Sequence, residues 1–161
     1  MNSNYFKSNE DNDFEMLVKF NEETKYFDKI ERCEEKNVID AIAWKGDKCF
    51  NIELKMRYMD INKFDGIFIE PNKVAKLLLE YQLDEIIPIY INFFQNQNTV
   101  AIWNLSKITS YDYDPCVKIW DEGHGKYKYE ARFCLYPRDA CICMRQNDND
   151  KYNEIKPIYK K

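Results

Sequence analysis

Short runs of apolar and aromatic residues, separated by polar turns, predict a chain rich in β-strands. The candidate strands of the first two thirds of the sequence are 26–33, 38–44, 49–56, 66–69, 86–94 and 99–105. Runs 86–94 and 99–105 are apolar almost throughout, which is typical of strands that are buried on both faces of a sheet. We therefore expect strand 86–94 to lie centrally in a mixed sheet.

Two segments have the spacing of apolar residues that is typical of amphipathic helices. The first is 13–25, with Asp13 as its N-cap, and the second is 71–83, with Pro71 in its first turn. Their apolar faces consist of Phe14, Leu17 and Val18 in the first helix and Val74, Leu77, Leu78 and Tyr81 in the second. We expect both helices to pack against the sheet.

The length of 161 residues predicts a single domain, 1–161, with a buried core. Residues 12–105 contain the predicted helices and the strands named above. Residues 106–161 form a C-terminal extension rich in β-strands, with candidate strands at 116–120, 129–136 and 140–144. No change of composition marks a second domain.

A tight hairpin is predicted between strands 38–44 and 49–56, because Gly46-Asp47 suits a two-residue turn. In the register that this turn imposes, residue i faces residue 93 − i. Asp40 then lies directly opposite Glu53, on the same face of the sheet.

Two facing carboxylates repel each other unless a positive charge neutralises them, and a divalent cation with oxygen ligands does so. Asp40 also interrupts an otherwise apolar strand, where a carboxylate is costly without a partner. Lys55 shares the face of Glu53, because strand side chains alternate. The pattern Glu-x-Lys alone is common on half-exposed strands. The prediction of a metal site therefore depends on Asp40, which faces Glu53.

Ile39-Asp40 and Glu53-Leu54-Lys55 resemble the motif of the PD-(D/E)xK nuclease superfamily, with Ile39 in place of the proline. The resemblance implies an α/β (α+β) fold with a restriction-endonuclease-like core, αβββαβ around a mixed sheet, over about residues 12–105. The separation of 13 residues between the two acids is similar to that in the resolvase-like branch.

The resemblance also implies a catalytic set of Asp40, Glu53 and Lys55. Asp40, Glu53 and the main-chain carbonyl of Leu54 would bind Mg²⁺, with Mn²⁺ as a substitute. Lys55 would orient or deprotonate the attacking water. The implied activity is that of a Mg²⁺-dependent endonuclease, a hydrolase acting on phosphodiester bonds.

Further residues are candidates for the same site. A glutamate on the first helix often completes the metal site in the resembled family, which makes Glu15 the first candidate and Glu22 the second. Arg57 continues the alternation of Glu53 and Lys55, so we expect it to contact a substrate phosphate, together with Tyr58 and Lys73. For each of these residues, the alternative is an ordinary solvent-exposed position with no role in the site.

Charge and composition limit the partners. The net charge is −4, but residues 1–40 carry 11 acidic and 6 basic side chains, which leaves a nearly neutral body. No apolar run approaches the ~20 residues that span a bilayer, and the polar N-terminus is unlike a signal peptide. We expect a cytoplasmic protein that binds DNA rather than RNA and no membrane; a monomer and a homodimer both remain open.

Two functions follow from these observations. The first is a nuclease acting on DNA, including structured or branched DNA. The second is a non-catalytic binding or inhibitor protein on the same fold, with an acidic surface facing its partner. The complete set of two acids and a lysine favours the nuclease, and the net acidity favours the binding protein.

Overall fold

A computed structural model describes residues 3–34, 39–63, 66–109, 111–121, 124–147, 149 and 151–154 of the 161-residue chain. The helices of this described part are α1 (Ser3–Thr24) and α2 (Pro71–Asp84). Its strands are β1 (Lys29–Arg32), β2 (Ala41–Lys45), β3 (Lys48–Arg57), β4 (Ile67–Ile69), β5 (Ile87–Phe94), β6 (Thr99–Asn104), β7 (Asp112–Asp121), β8 (Lys126–Leu135), β9 (Ile142–Gln146) and β10 (Tyr152–Glu154). Short 3₁₀ helices lie at Gln95–Gln97, Leu105–Lys107 and Pro137–Asp139.

The main sheet has seven strands in the order β1-β2-β3-β5-β6-β9-β10. The pair β3–β5 is parallel and the other pairs are antiparallel, so the sheet is mixed. Strand β5 is the fourth of the seven, and all but its first residue are buried. The predicted α/β fold with two helices, a mixed sheet and a central strand near 86–94 is confirmed.

The two helices cover opposite faces of this sheet. Leu17 of α1 packs in a buried cluster with Ile52 and Leu54 of β3. Leu77 of α2 belongs to a second cluster that contains Tyr90 of β5. Since side chains alternate along a strand, the odd-numbered residues of β3 face the α2 side.

The C-terminal extension contributes to two sheets. Strands β9 and β10 extend the main sheet beyond β6. Strands β7 and β8 form a long antiparallel hairpin, which joins β4 in a separate three-stranded sheet. The sequence predicted strands in the regions of β7, β8 and β9 but not β10. It did not predict the second sheet either, because the pairing of that sheet joins segments that are distant in the chain.

Some boundaries differ from those predicted. Helix α1 begins at Ser3, so the prediction that Asp13 caps it is wrong. Residues 3–12 contain neither proline nor glycine, so nothing in this segment stops the helix from extending towards the N-terminus. Tyr81 was predicted to lie on the face of α2 that packs against the sheet, but its side chain is exposed. Val38, the first residue of the predicted second strand, lies outside the described residues.

Neither helix of the described part is long and apolar enough to span a membrane.

Candidate active site

The β2–β3 hairpin has the predicted register. Its pairs run from Ala41 opposite Ile52 to Lys45 opposite Lys48, so each pair of residue numbers adds up to 93. Gly46 adopts a φ of 57°, a left-handed conformation that glycine accepts without steric cost. The turn is held further because the Gly46 N–H donates to Oδ2 of Asp28 at 2.7 Å.

Asp40 lies immediately before β2 and is bonded to both neighbouring segments. Its N–H donates to the carbonyl of Ile52 at 3.0 Å, and its carbonyl accepts from the N–H of Cys33 at 3.0 Å. Its side-chain Oδ2 accepts from the Leu54 N–H at 2.6 Å. The carboxylate is therefore fixed beside β3 by a main-chain donor.

Glu53 is a buried carboxylate on the α2 side of the sheet. Its Oε1 is paired with Nζ of Lys73, whereas its Oε2 has no hydrogen-bond partner among the described residues. Burial, followed by the charge of Asp40, raises the pKa of Glu53 to about 7, although Lys73 and Lys55 act in the opposite direction. Asp40 and Glu53 are thus close enough to repel each other.

Two lysines approach the carboxylates from different elements. Lys55, exposed on β3, and Lys73, part-buried on α2, both act to lower the pKa of Asp40, which burial nevertheless raises. Burial by itself would lower the pKa of Lys73, but the charges of Glu53 and Asp40 raise it overall. The structure therefore brings Asp40, Glu53, Lys55 and Lys73 together.

Arg57, the last residue of β3, is held by three acceptors. Its Nε donates to Oδ1 of Asn92, and its NH2 group donates to the carbonyl of Phe68 at 3.1 Å and to the hydroxyl of Tyr90 at 3.0 Å. Asn92 is fully buried, and its Nδ2 has no partner in the described part of the chain. These bonds fix the guanidinium at the end of β3, where β3, β4 and β5 meet.

The remaining candidates lie elsewhere. Glu15 and Glu22 are exposed on α1, which covers the opposite face of the sheet from Glu53, so the structure does not bring them to the carboxylates. Tyr58 follows β3 and is 73% exposed. The side chain of Leu54 packs towards α1, and its carbonyl lies between Glu53 and Lys55 in β3.

The residues present suit a hard divalent cation. Within the described residues, no group of three or more His, Cys, Asp or Glu side chains is placed to hold a metal ion. Asp40 and Glu53 are two neighbouring carboxylates, since the charge of Asp40 acts on the pKa of Glu53. Mg²⁺ commonly binds through one or two carboxylates and completes its shell with water and substrate phosphate. The unpartnered, buried Oε2 of Glu53 is an oxygen of the required kind.

Sequence reasoning underestimated Lys73 and missed Tyr90 and Asn92. Lys73 precedes the buried Val74 in α2, and only the placement of this helix on the sheet brings its ammonium group to Glu53. Tyr90 and Asn92 did leave a signal, since they are polar side chains two residues apart within an apolar strand. That spacing places both on the face of β5 that neighbours Glu53 and Lys55.

No protein-family model and no curated protein matches the sequence. Among solved structures, the Holliday junction resolvase Hjc of the hyperthermophilic archaeon Archaeoglobus fulgidus is similar, with a TM-score of 0.43 and 12% sequence identity. The similarity covers 66% of this chain and 73% of that chain.

Proposed function

We propose that this protein is a metal-dependent endonuclease that hydrolyses phosphodiester bonds of DNA. The observation that supports this function best is the buried Glu53 carboxylate, which leaves one oxygen unpartnered beside Asp40 and has Lys55 and Lys73 nearby. A folded protein tolerates such repulsion where it serves a ligand, and the ligand that suits two carboxylates is a divalent cation.

Each residue of the set has a role. Asp40, Glu53 and the main-chain carbonyl of Leu54 are the proposed ligands of Mg²⁺, for which Mn²⁺ can substitute. When bound, such an ion polarises a phosphate and lowers the pKa of a coordinated water. Lys55 is exposed on the same face of β3 as Glu53, so its ammonium group can orient the attacking water and offset the charge that develops on the phosphate.

Arg57 is the proposed contact for a neighbouring phosphate. Its Nε and NH2 groups are bonded to Asn92, Tyr90 and Phe68, which fixes the orientation of the planar guanidinium and of its NH1 group. A guanidinium fixed in this way loses little conformational entropy when it binds a phosphate. Tyr58, which has a large exposed area, is the proposed second contact for the same DNA strand.

Cleavage of a panel of labelled DNA substrates tests this function. The panel contains linear, nicked, flapped and four-way DNA of the same sequence, with Mg²⁺ or with EDTA. We expect Mg²⁺-dependent cleavage of at least one substrate, with preference for the structured ones. Equal products in EDTA and in Mg²⁺, or no cleavage of any substrate, would contradict the proposal.

A non-catalytic binding protein is the second candidate. The ion pair between Lys73 and Glu53 favours it, because this pair gives Glu53 a counter-charge without any metal. Calorimetric titration with Mn²⁺ separates the two candidates. The nuclease requires binding at one site that is lost in Asp40→Asn, whereas the binding protein requires no such site.

A further inference from the structure

The β7–β8 hairpin is longer than the stretch of β8 that pairs with β4. Strand β8 pairs with β4 only from Phe133 to Leu135. Five further pairs, from Val117 opposite Glu130 to Asp121 opposite Lys126, join β7 and β8 alone. We call residues 117–121 and 126–130 the arm. A two-stranded ribbon of this kind gains little stability by itself, so its length requires another explanation.

Two tyrosines of the arm form a regular pair. Tyr127 and Tyr129 are 57% and 63% exposed, and they lie on the same face of β8 because they are two residues apart. The rise of a strand separates such side chains by about 6.6 Å. Stacked bases are about 3.4 Å apart. The strand rise therefore matches the spacing of two aromatic rings that stack on the two sides of one base.

A positive charge accompanies this pair. Lys118 lies opposite Tyr129 in the ladder, and its Nζ is 4.2 Å from the centre of the Tyr127 ring. Each nucleotide of a nucleic acid carries a negatively charged phosphate, so the positive charge of Lys118 is complementary to a nucleic-acid ligand. Aromatic rings next to lysine are the usual composition of surfaces that bind single-stranded nucleic acid.

The composition of the arm favours bases over an apolar protein surface. Its large exposed hydrophobic side chains among the described residues are these two tyrosines, and Lys126 of the same strand is exposed as well. Lys128 is half-buried and forms an ion pair with Glu130 at 2.5 Å. Lysine is depleted in the cores of protein interfaces, whereas the described arm exposes Lys118 and Lys126.

The root of the arm is continuous with the candidate active site. Strand β4, which pairs with β8, supplies the Phe68 carbonyl that holds Arg57. Arg132, two residues beyond the arm on β8, forms an ion pair with Glu70 at 2.7 Å. Burial, together with the nearby charge of Arg57, lowers the pKa of Arg132. The arm and the proposed phosphate contact therefore belong to one connected framework.

We propose that Tyr127 and Tyr129 form a stacking site for one unpaired base of a DNA strand. This inference rests on the proposed function for its ligand, and it assigns the arm to the unpaired part of a structured substrate. The arm thereby distinguishes DNA that contains unpaired bases from continuous duplex.

Binding without metal tests this site independently of catalysis. The probes are a short single strand that contains 2-aminopurine, whose fluorescence falls on stacking, and a blunt duplex of the same length, both in EDTA. We expect the double variant Tyr127→Ala/Tyr129→Ala to lose affinity for the single strand by about tenfold or more, together with the quenching. We expect the variant Tyr127→Phe/Tyr129→Phe to keep both the single-strand affinity and the fluorescence quenching, because the aromatic rings remain.

The controls separate stacking from folding and from self-association. Tyr81→Ala removes a partly exposed tyrosine of α2 and is expected to leave binding unchanged. Thermal unfolding checks that the alanine variants are folded. Unchanged single-strand affinity in a folded alanine double variant overturns the proposal. Dissociation of a wild-type dimer in that variant also overturns it, because the tyrosines then contact a second copy.

Failure of this inference is distinguishable from failure of the proposed function. If the wild type cleaves DNA and the tyrosine variants bind single strands normally, the stacking site is refuted and the nuclease remains. If the wild type never cleaves but loses single-strand binding with the tyrosines, the nuclease is refuted and the stacking site remains.

Discussion

Lys73 of α2 forms an ion pair with the buried carboxylate of Glu53 on β3. The ammonium group of Lys73 therefore neutralises the carboxylate that we propose as a metal ligand. Because the pair uses Oε1 of Glu53, a metal that requires both oxygens has to displace the lysine. Stability without metal and affinity for metal are consequently coupled through this one side chain.

Replacement of Lys73 by methionine is expected to change both quantities in opposite directions. Breaking a buried ion pair typically costs ~3–5 kcal/mol, and since Lys73 is one-third exposed we expect a loss of about 1–3 kcal/mol in EDTA. At pH 8 the affinity for Mn²⁺ is expected to rise about tenfold, as the competing cation is gone. Urea unfolding and calorimetry measure the two effects.

Lys76→Met is the matched control, because Lys76 lies one turn further along α2. We expect it to change neither the unfolding free energy in EDTA nor the Mn²⁺ affinity appreciably. Weaker Mn²⁺ binding in Lys73→Met would show that the lysine supports the metal site instead of competing for it.

Asp40→Asn is expected to raise the midpoint of thermal unfolding in EDTA. Its amide keeps an oxygen that can accept from the Leu54 N–H, while the repulsion that raises the pKa of Glu53 disappears. Site-level binding of Mn²⁺ should be lost, because a neutral amide replaces a ligand carboxylate. Identical unfolding of variant and parent in EDTA would contradict the proximity of the two acids.

Stability without metal should fall as pH rises from about 5 to 8. The pKa of Glu53 is raised from its ordinary value of 4.5 to about 7, so the folded state holds this proton more tightly than the unfolded state. The resulting stability is complete below about pH 4.5 and is lost as pH rises through about 7. Thermal unfolding between pH 5 and 8 should show a flatter profile in Glu53→Gln than in the parent.

Arg57→Lys should destabilise the fold by about 1–3 kcal/mol, even though it conserves the charge. Arg57 donates from two separate nitrogens, Nε towards Asn92 and NH2 towards Tyr90 and Phe68, whereas lysine has a single nitrogen and cannot reproduce this geometry, so at least one acceptor loses its donor. Arg138→Lys, at an exposed position, is the control. Equal unfolding free energies of the two variants would refute the structural role of Arg57.

The hairpin that carries the acids was predictable, because its register depends on local features. A glycine at the turn and alternating side chains suffice to place Asp40 next to Glu53. Lys73 was harder to assign, since its contact depends on where α2 lies on the sheet and not on its own helical pattern. Likewise, the second sheet requires β4 to pair with β8, a contact about 66 residues apart in sequence that no local signal encodes.

Cleavage by the Lys55→Ala variant tests the nuclease proposal most directly. The side chain of Lys55 is exposed on β3, so its removal should leave the protein folded. We expect Mg²⁺-dependent cleavage of DNA to fall by at least ~100-fold, as for the loss of a proton-transfer group. Lys48→Ala, at the other end of β3, should cleave like the wild type. Wild-type cleavage by Lys55→Ala would contradict the proposed site.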